Sequence, residues 1–133
     1  MSVDDTDAAH HLGAIPDTER GRALWYQNAA GYILRRDAGR YAVRQFDPDL
    51  SPDARAAALK AIDDTLYGVC MIADGVTGAI STPEGRTSLS IQVNHQPAEG
   101  SGTTPFRLDL FDGDGACMGY HAWIDGDYRR GLD

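Results

Sequence analysis

The residue types best suited to chemistry gather near the end of the chain, between Leu110 and Asp127. Asp-Gly-Asp-Gly at 112–115 and Asp-Gly-Asp at 125–127 flank a segment that contains Cys117, Tyr120, His121 and Trp123. Carboxylates bind hard cations, an imidazole transfers protons, and a thiol is a nucleophile. This segment is therefore either a functional site or a single strand between two tight turns.

The physics of hairpins favours the strand. Asp-Gly pairs are typical of tight reversals, so Asp114-Gly115 predicts a type I′ hairpin followed by a strand over about 116–124. In this register His121 and Trp123 lie on the apolar face of the strand, whereas Asp109 lies on the opposite face. A His121–Asp109 dyad would need a three-residue loop with a bulge, which is the less common geometry.

A calcium site at the same acidic turns is not supported. An EF-hand loop requires Glu at its twelfth position, and counting from Asp112 places Trp123 there. The two acidic turns would also stand roughly 30 Å apart at opposite ends of one strand. No GxSxG, HExxH, P-loop or Rossmann motif is present. The sequence therefore predicts no metal, no cofactor and no catalytic residue.

A ligand pocket or an interface is the functional alternative to simple core packing. An imidazole on an apolar face must find a hydrogen-bond partner or face a cavity, which makes His121 the best candidate. Aromatic residues on the first predicted helix could line the same space between helix and sheet. The candidate ligand or interface residues are His121, Trp123, Tyr120, Trp25, Tyr32 and Cys117.

Composition limits the class of protein. The chain has 133 residues, 42% of them hydrophobic and 24% charged, which fits one globular domain. A net charge of -8 argues against a nucleic-acid surface, and no apolar run is long enough to cross a membrane. The two cysteines are predicted to be reduced and buried. With no pattern typical of a secretory signal, we expect a cytoplasmic protein.

The first half of the chain predicts helices behind a flexible acidic segment at 1–16, with a single domain over 17–133. Apolar residues at helical spacing predict a helix over 18–36 that stops near Gly39. The segment 41–46 fits a helix or a short strand, and we weakly favour the helix. Ser51 as N-cap before Pro52 predicts a long helix that ends at Gly75. Gly68 inside that helix suggests close packing against another backbone.

The second half predicts strands. Leu89, Ile91 and Val93 alternate with polar residues, and Phe106, Leu108 and Leu110 do the same. The expected fold is therefore α+β, with two or three N-terminal helices packed on one face of a small C-terminal antiparallel meander of three, or four, strands.

Two functions fit this reading. The leading hypothesis is a small, acidic, non-catalytic interaction module that binds a protein partner or itself, in a role like that of immunity proteins that neutralise basic toxins. The alternative is a small-molecule-binding or hydrolytic domain with a helix–sheet pocket around His121 and Trp123. The lack of a catalytic motif makes an enzyme the less favoured class.

Overall fold

A computed structural model describes residues 3–113, 115–117 and 120 of the chain. The described part is α+β, with helices first and short antiparallel strands after them. No helix in these residues is both long and apolar enough to cross a bilayer. The α+β class expected from the sequence is confirmed.

The chain begins with a helix that the sequence pattern did not predict. Helix α1 covers Val3–Leu12, within the segment expected to be flexible and acidic. The Trp25 indole Nε1 donates a hydrogen bond of 3.1 Å to the carbonyl oxygen of Gly13, directly after this helix. A contact from outside the segment therefore ties its end to the next helix, which local periodicity could not reveal.

The next helical region is longer than expected. Helix α2 covers Glu19–Ile33, a π-helical turn covers Leu34–Gly39, and helix α3 covers Arg40–Arg44. The predicted stop at Gly39 is wrong, because Gly39 has a right-handed helical φ of -63° rather than the positive φ of a helix terminus. The weakly favoured helix at 41–46 is confirmed over its first four residues.

Helix α4 covers Pro52–Ala73 and begins as its sequence predicts. The Ser51 hydroxyl accepts a hydrogen bond of 3.2 Å from the Ala54 amide, and Pro52 occupies the first turn. Gly75 follows the helix with φ +76°, as expected for a left-handed terminus. The close packing predicted at Gly68 is wrong, since no atom outside its own helix backbone lies within 4 Å of a β-carbon built there.

The strands form two separate two-stranded sheets within the described residues rather than one meander. Strands β1 (Ala79–Thr82) and β2 (Gly85–Ser88) make the first, and β3 (Gln92–His95) and β4 (Phe106–Asp109) the second. The first hairpin was not predicted because all eight of its residues are exposed, so it lacks an alternating apolar pattern.

The β3–β4 sheet provides the predicted contact between helices and strands. In its register Val93 lies opposite Leu108, and both pack against the core. The Tyr26 ring on α2 stacks on Phe106 with centroids 4.7 Å apart. Leu89, which was predicted to face the core, is 69% exposed because β3 begins only at Gln92.

The predicted third strand over 116–124 is wrong for the residues that the structure describes. After β4 a short 3-10 helix covers Leu110–Asp112, and Ala116, Cys117 and Tyr120 are helical. The other residues of the predicted strand lie outside the described part. The core joins this segment to both long helices; its buried members are Ala30, Leu66, Cys70, Ala73, Leu110, Ala116 and Tyr120.

Candidate functional site

The two residues at the centre of the predicted pocket, His121 and Trp123, lie outside the described residues. The pocket alternative therefore stays a prediction. The other candidates, Tyr120, Cys117, Trp25 and Tyr32, are described. They fall into two pairs, one held against α4 and the other on α2.

Tyr120 is fully buried and bonded to an acidic residue on α4. Its hydroxyl donates a hydrogen bond of 2.9 Å to Asp63 Oδ1, and Arg35 Nε lies 3.4 Å from the same oxygen. Burial raises the pKa of the Tyr120 hydroxyl, and its bond to Asp63 raises it further. The phenol therefore stays protonated at neutral pH, and its role here is to attach the C-terminal helical segment to α4.

Cys117 is held by Tyr67 of α4 and by Asp74, the residue that directly follows α4. The Asp74 carboxylate accepts hydrogen bonds from the backbone amides of Ala116 and Cys117, the second at 3.1 Å. The Tyr67 hydroxyl is hydrogen-bonded to the Cys117 thiol. Cys70, which lies one helical turn before Asp74, is fully buried in the same core. Asp74 thus works as an N-cap supplied by a distant element.

The environment of the two thiols suppresses their reactivity. Burial raises the pKa of the Cys70 thiol to about 12. Burial, with a further contribution from the Asp74 carboxylate, raises the pKa of the Cys117 thiol to about 11. Because the thiolate is the nucleophile, neither cysteine is activated for catalysis. Both are free, as predicted from the sequence, although Cys117 is only partly buried.

Trp25 and Tyr32 serve packing on α2. The Trp25 ring meets the Tyr26 ring edge-on with centroids 5.3 Å apart, in addition to its bond to Gly13. Tyr32 is 5% exposed, and the Arg36 guanidinium lies 5.3 Å from the centre of its ring. Tyr32 is therefore a core residue, whereas Trp25 is only partly buried.

The cavities formed by described residues lie elsewhere. An open apolar groove of about 320 Å³ runs between the π-helical turn, α3 and α4, lined by Ala38, Ala42, Ala61, Ile62, Thr65 and Leu66. A second cavity of about 290 Å³ is lined by Glu19, Arg20, Ala23, Asp112 and Gly113. Neither is lined by a residue of the predicted site.

Asp109, one of the acidic residues singled out by the sequence, has a structural role. Asp109 Oδ1 accepts a hydrogen bond of 3.0 Å from the Phe111 amide and so starts the 3-10 helix. Within residues 3–113, 115–117 and 120, no three His, Cys, Asp or Glu side chains are placed to hold a metal ion. His95 is hydrogen-bonded through Nε2 to Thr103 Oγ1 at 3.0 Å and packs near Tyr26.

The sequence did not predict an exposed apolar surface around the first hairpin. We define the hairpin patch as Val76, Ile80, Leu89 and Phe111, which are 66%, 65%, 69% and 63% exposed. Val76 and Ile80 belong to the segment 75–80, and Leu89 and Phe111 lie beside it. A β-carbon at Gly75 would meet the Phe111 ring, and the Leu89 amide donates a hydrogen bond of 3.1 Å to the Gly78 carbonyl. Ile80 and Leu89 share one face of the hairpin, because Ile80 pairs with Thr87.

No family model, curated protein or solved structure matches the chain. The geometry of the described residues therefore supplies the evidence on function.

Proposed function

We propose that this chain is a non-catalytic interaction module that binds a protein partner or a second copy of itself. The observation that carries the proposal is the hairpin patch, whose four large apolar side chains are each more than 60% exposed. Single exposed apolar residues are ordinary on protein surfaces, but a group of them around one segment is typical of an interaction surface.

The buried tyrosine and cysteine side chains support a non-catalytic role. Tyr120, Cys70 and Cys117 are described residues of types that can act in proton transfer or nucleophilic attack, and burial raises the pKa of each. Groups held protonated in this way stabilise the fold rather than react. The free state of both thiols also fits a reducing compartment, so we keep a cytoplasmic location within the proposal.

Site-specific photo-crosslinking in the cells that make this protein tests the proposal. A benzophenone amino acid replaces Phe111 in the hairpin patch, and in a second variant it replaces Tyr41 on α3. The two positions form a matched pair of aromatic residues, 63% and 61% exposed. We expect irradiation to yield protein adducts, with another protein or with a second copy, from position 111 and not from position 41. Absence of any protein adduct from position 111 would contradict the proposal.

A further inference from the structure

Strand β1 has an outer edge to which no strand in the described part of the chain is paired. Its four residues, Ala79–Thr82, are all exposed, and none is charged or a proline. Natural edge strands are usually protected from further pairing by charged side chains, proline or a bulge. The opposite strand of the hairpin carries such protection at Arg86. The edge of β1 is therefore the one open to a further strand.

The direction of the backbone groups along β1 follows from its pairing. The Gly78 carbonyl accepts from the Leu89 amide, so Gly78 points towards β2. Backbone groups alternate in direction along an antiparallel strand, and Ile80 and Thr82 therefore also point inwards. Ala79 and Ser81 then direct their N–H and C=O groups outwards. A strand added at this edge would find both residues ready to pair.

The charge around the hairpin indicates which partner fits. The chain carries a net charge of -8, yet the segment from Val76 to Ile91 contains only Glu84 and Arg86 as charged residues and is neutral. A basic partner finds no negative surface to recognise on this segment. A second acidic copy can approach here without placing like charges face to face. The occupant that this surface suits best is therefore the same chain.

We propose that two copies of this chain pair antiparallel through β1, which joins their hairpins into one four-stranded sheet in the order β2, β1, β1, β2. The inference rests on the proposed function and specifies its partner. The contact is isologous, with Ile80 of each copy on the two-fold axis and Ala79 opposite Ser81. In this register the outward residues form the hydrogen-bonded pairs, while the two Ile80 side chains meet in a non-hydrogen-bonded pair on one face.

Sedimentation equilibrium of the full chain tests self-pairing. We expect a concentration-dependent dimer that becomes tighter between about 50 and 500 mM NaCl, because salt screens the repulsion between two acidic copies. A complex held by attraction to a basic partner would weaken instead. A chain that is monomeric at both salt concentrations, up to about 200 µM, would overturn the inference.

Two proline variants separate the two edges of the hairpin. Ser81→Pro removes the outward N–H of residue 81 in β1 and leaves the groups that pair with β2 in place. Ser88→Pro makes the same change on the outer edge of β2, since Leu89 points inwards. By symmetry Ser81→Pro removes two hydrogen bonds from the dimer, so we expect dimerisation to weaken about tenfold or more. Ser88→Pro should leave it unchanged, and equal effects of the two variants would refute pairing through β1.

If Ser81→Pro does not fold, hydrogen exchange of the backbone amides in the wild-type chain tests pairing through β1. The Ala79 and Ser81 amides should exchange more slowly as protein concentration rises, whereas the Arg86 and Ser88 amides should not. Concentration-independent exchange at Ala79 and Ser81 would overturn self-pairing. If the chain is monomeric but still crosslinks to another protein from position 111, self-pairing is wrong and the interaction role stands.

Discussion

The Tyr120 hydroxyl donates a hydrogen bond of 2.9 Å to the carboxylate of Asp63 on α4, 57 positions away in the chain, and the bond is partly buried. Tyr120 has no exposed surface, and Asp63 keeps about a quarter of its side chain accessible. Arg35 approaches the same carboxylate from the π-helical turn. One carboxylate thus connects three parts of the fold: the π-helical turn, the central helix and the C-terminal helical segment.

Tyr120→Phe isolates the contribution of this bond. The variant keeps the ring and its packing, and it leaves Asp63 in contact with Arg35 and partly with water. We expect the free energy of unfolding to fall by about 1.5–3 kcal/mol, as for a hydrogen bond to a charged acceptor. Urea unfolding followed by circular dichroism measures the change.

Tyr41→Phe is the control for Tyr120→Phe. Tyr41 is 61% exposed, so losing its hydroxyl should alter stability by less than about 0.5 kcal/mol. If Tyr120→Phe is as stable as the wild type, the Tyr120–Asp63 bond does not attach the C-terminal segment to α4.

The Cys117 thiol should show the effect of its surroundings in its alkylation by iodoacetamide. The Cys70→Ala variant leaves Cys117 as the thiol to be measured. With a pKa of about 11, the Cys117 thiol has a thiolate fraction at pH 8 about two orders of magnitude below that of a free thiol. We expect the rate to rise about tenfold per pH unit until pH approaches 11. Asp74→Asn removes the carboxylate that helps to raise this pKa, so it should increase the rate at pH 8.

Because folding raises the pKa of the Cys117 thiol, the free energy of unfolding should fall as pH increases. The pKa of Cys117 is higher in the folded chain than the roughly 8.5 of an unfolded thiol. The contribution of the protonated thiol to the free energy of unfolding is therefore complete below about pH 8.5. It is lost as pH rises towards 11. An alkylation rate that levels off near pH 8.5 would show that the label reaches the thiol only after local unfolding, contrary to the prediction.

Local signals in the sequence predicted the long helix correctly. The Ser51 cap, the proline after it and the positive φ of Gly75 depend on neighbours within one turn, so the sequence contains all the information required. The β3–β4 pairing was equally accessible, because one face of each strand packs on the core and enforces an alternating pattern.

The C-terminal segment could not be predicted in this way because a distant residue determines its conformation. Asp114-Gly115 is a strong local signal for a hairpin, but the Asp74 carboxylate accepts hydrogen bonds from the amides of Ala116 and Cys117, 42 and 43 positions away, and so favours a helical start. The hairpin patch was missed for a different reason. A strand pair whose eight residues are all exposed carries no pattern of burial from which it could be recognised.

Gly75 and Gly68 give opposite predictions for the same substitution. At Gly75 the backbone has φ +76°, and an added β-carbon would also clash with the Phe111 ring. Gly75→Ala should therefore lower the free energy of unfolding by about 1–3 kcal/mol. It should also displace Phe111 and change the fluorescence or crosslinking of a probe at that position.

Gly68 lies well inside the sequence of α4, and a β-carbon added there would meet open space. Alanine there loses less backbone entropy on folding than glycine, so Gly68→Ala should raise the free energy of unfolding by about 0.5–1 kcal/mol. Thermal and urea unfolding of the two single variants measures both values. Destabilisation by Gly68→Ala would mean that this glycine is covered by another surface, such as a partner on the exposed side of α4. In that case the variant should lose stability only at protein concentrations where the complex forms.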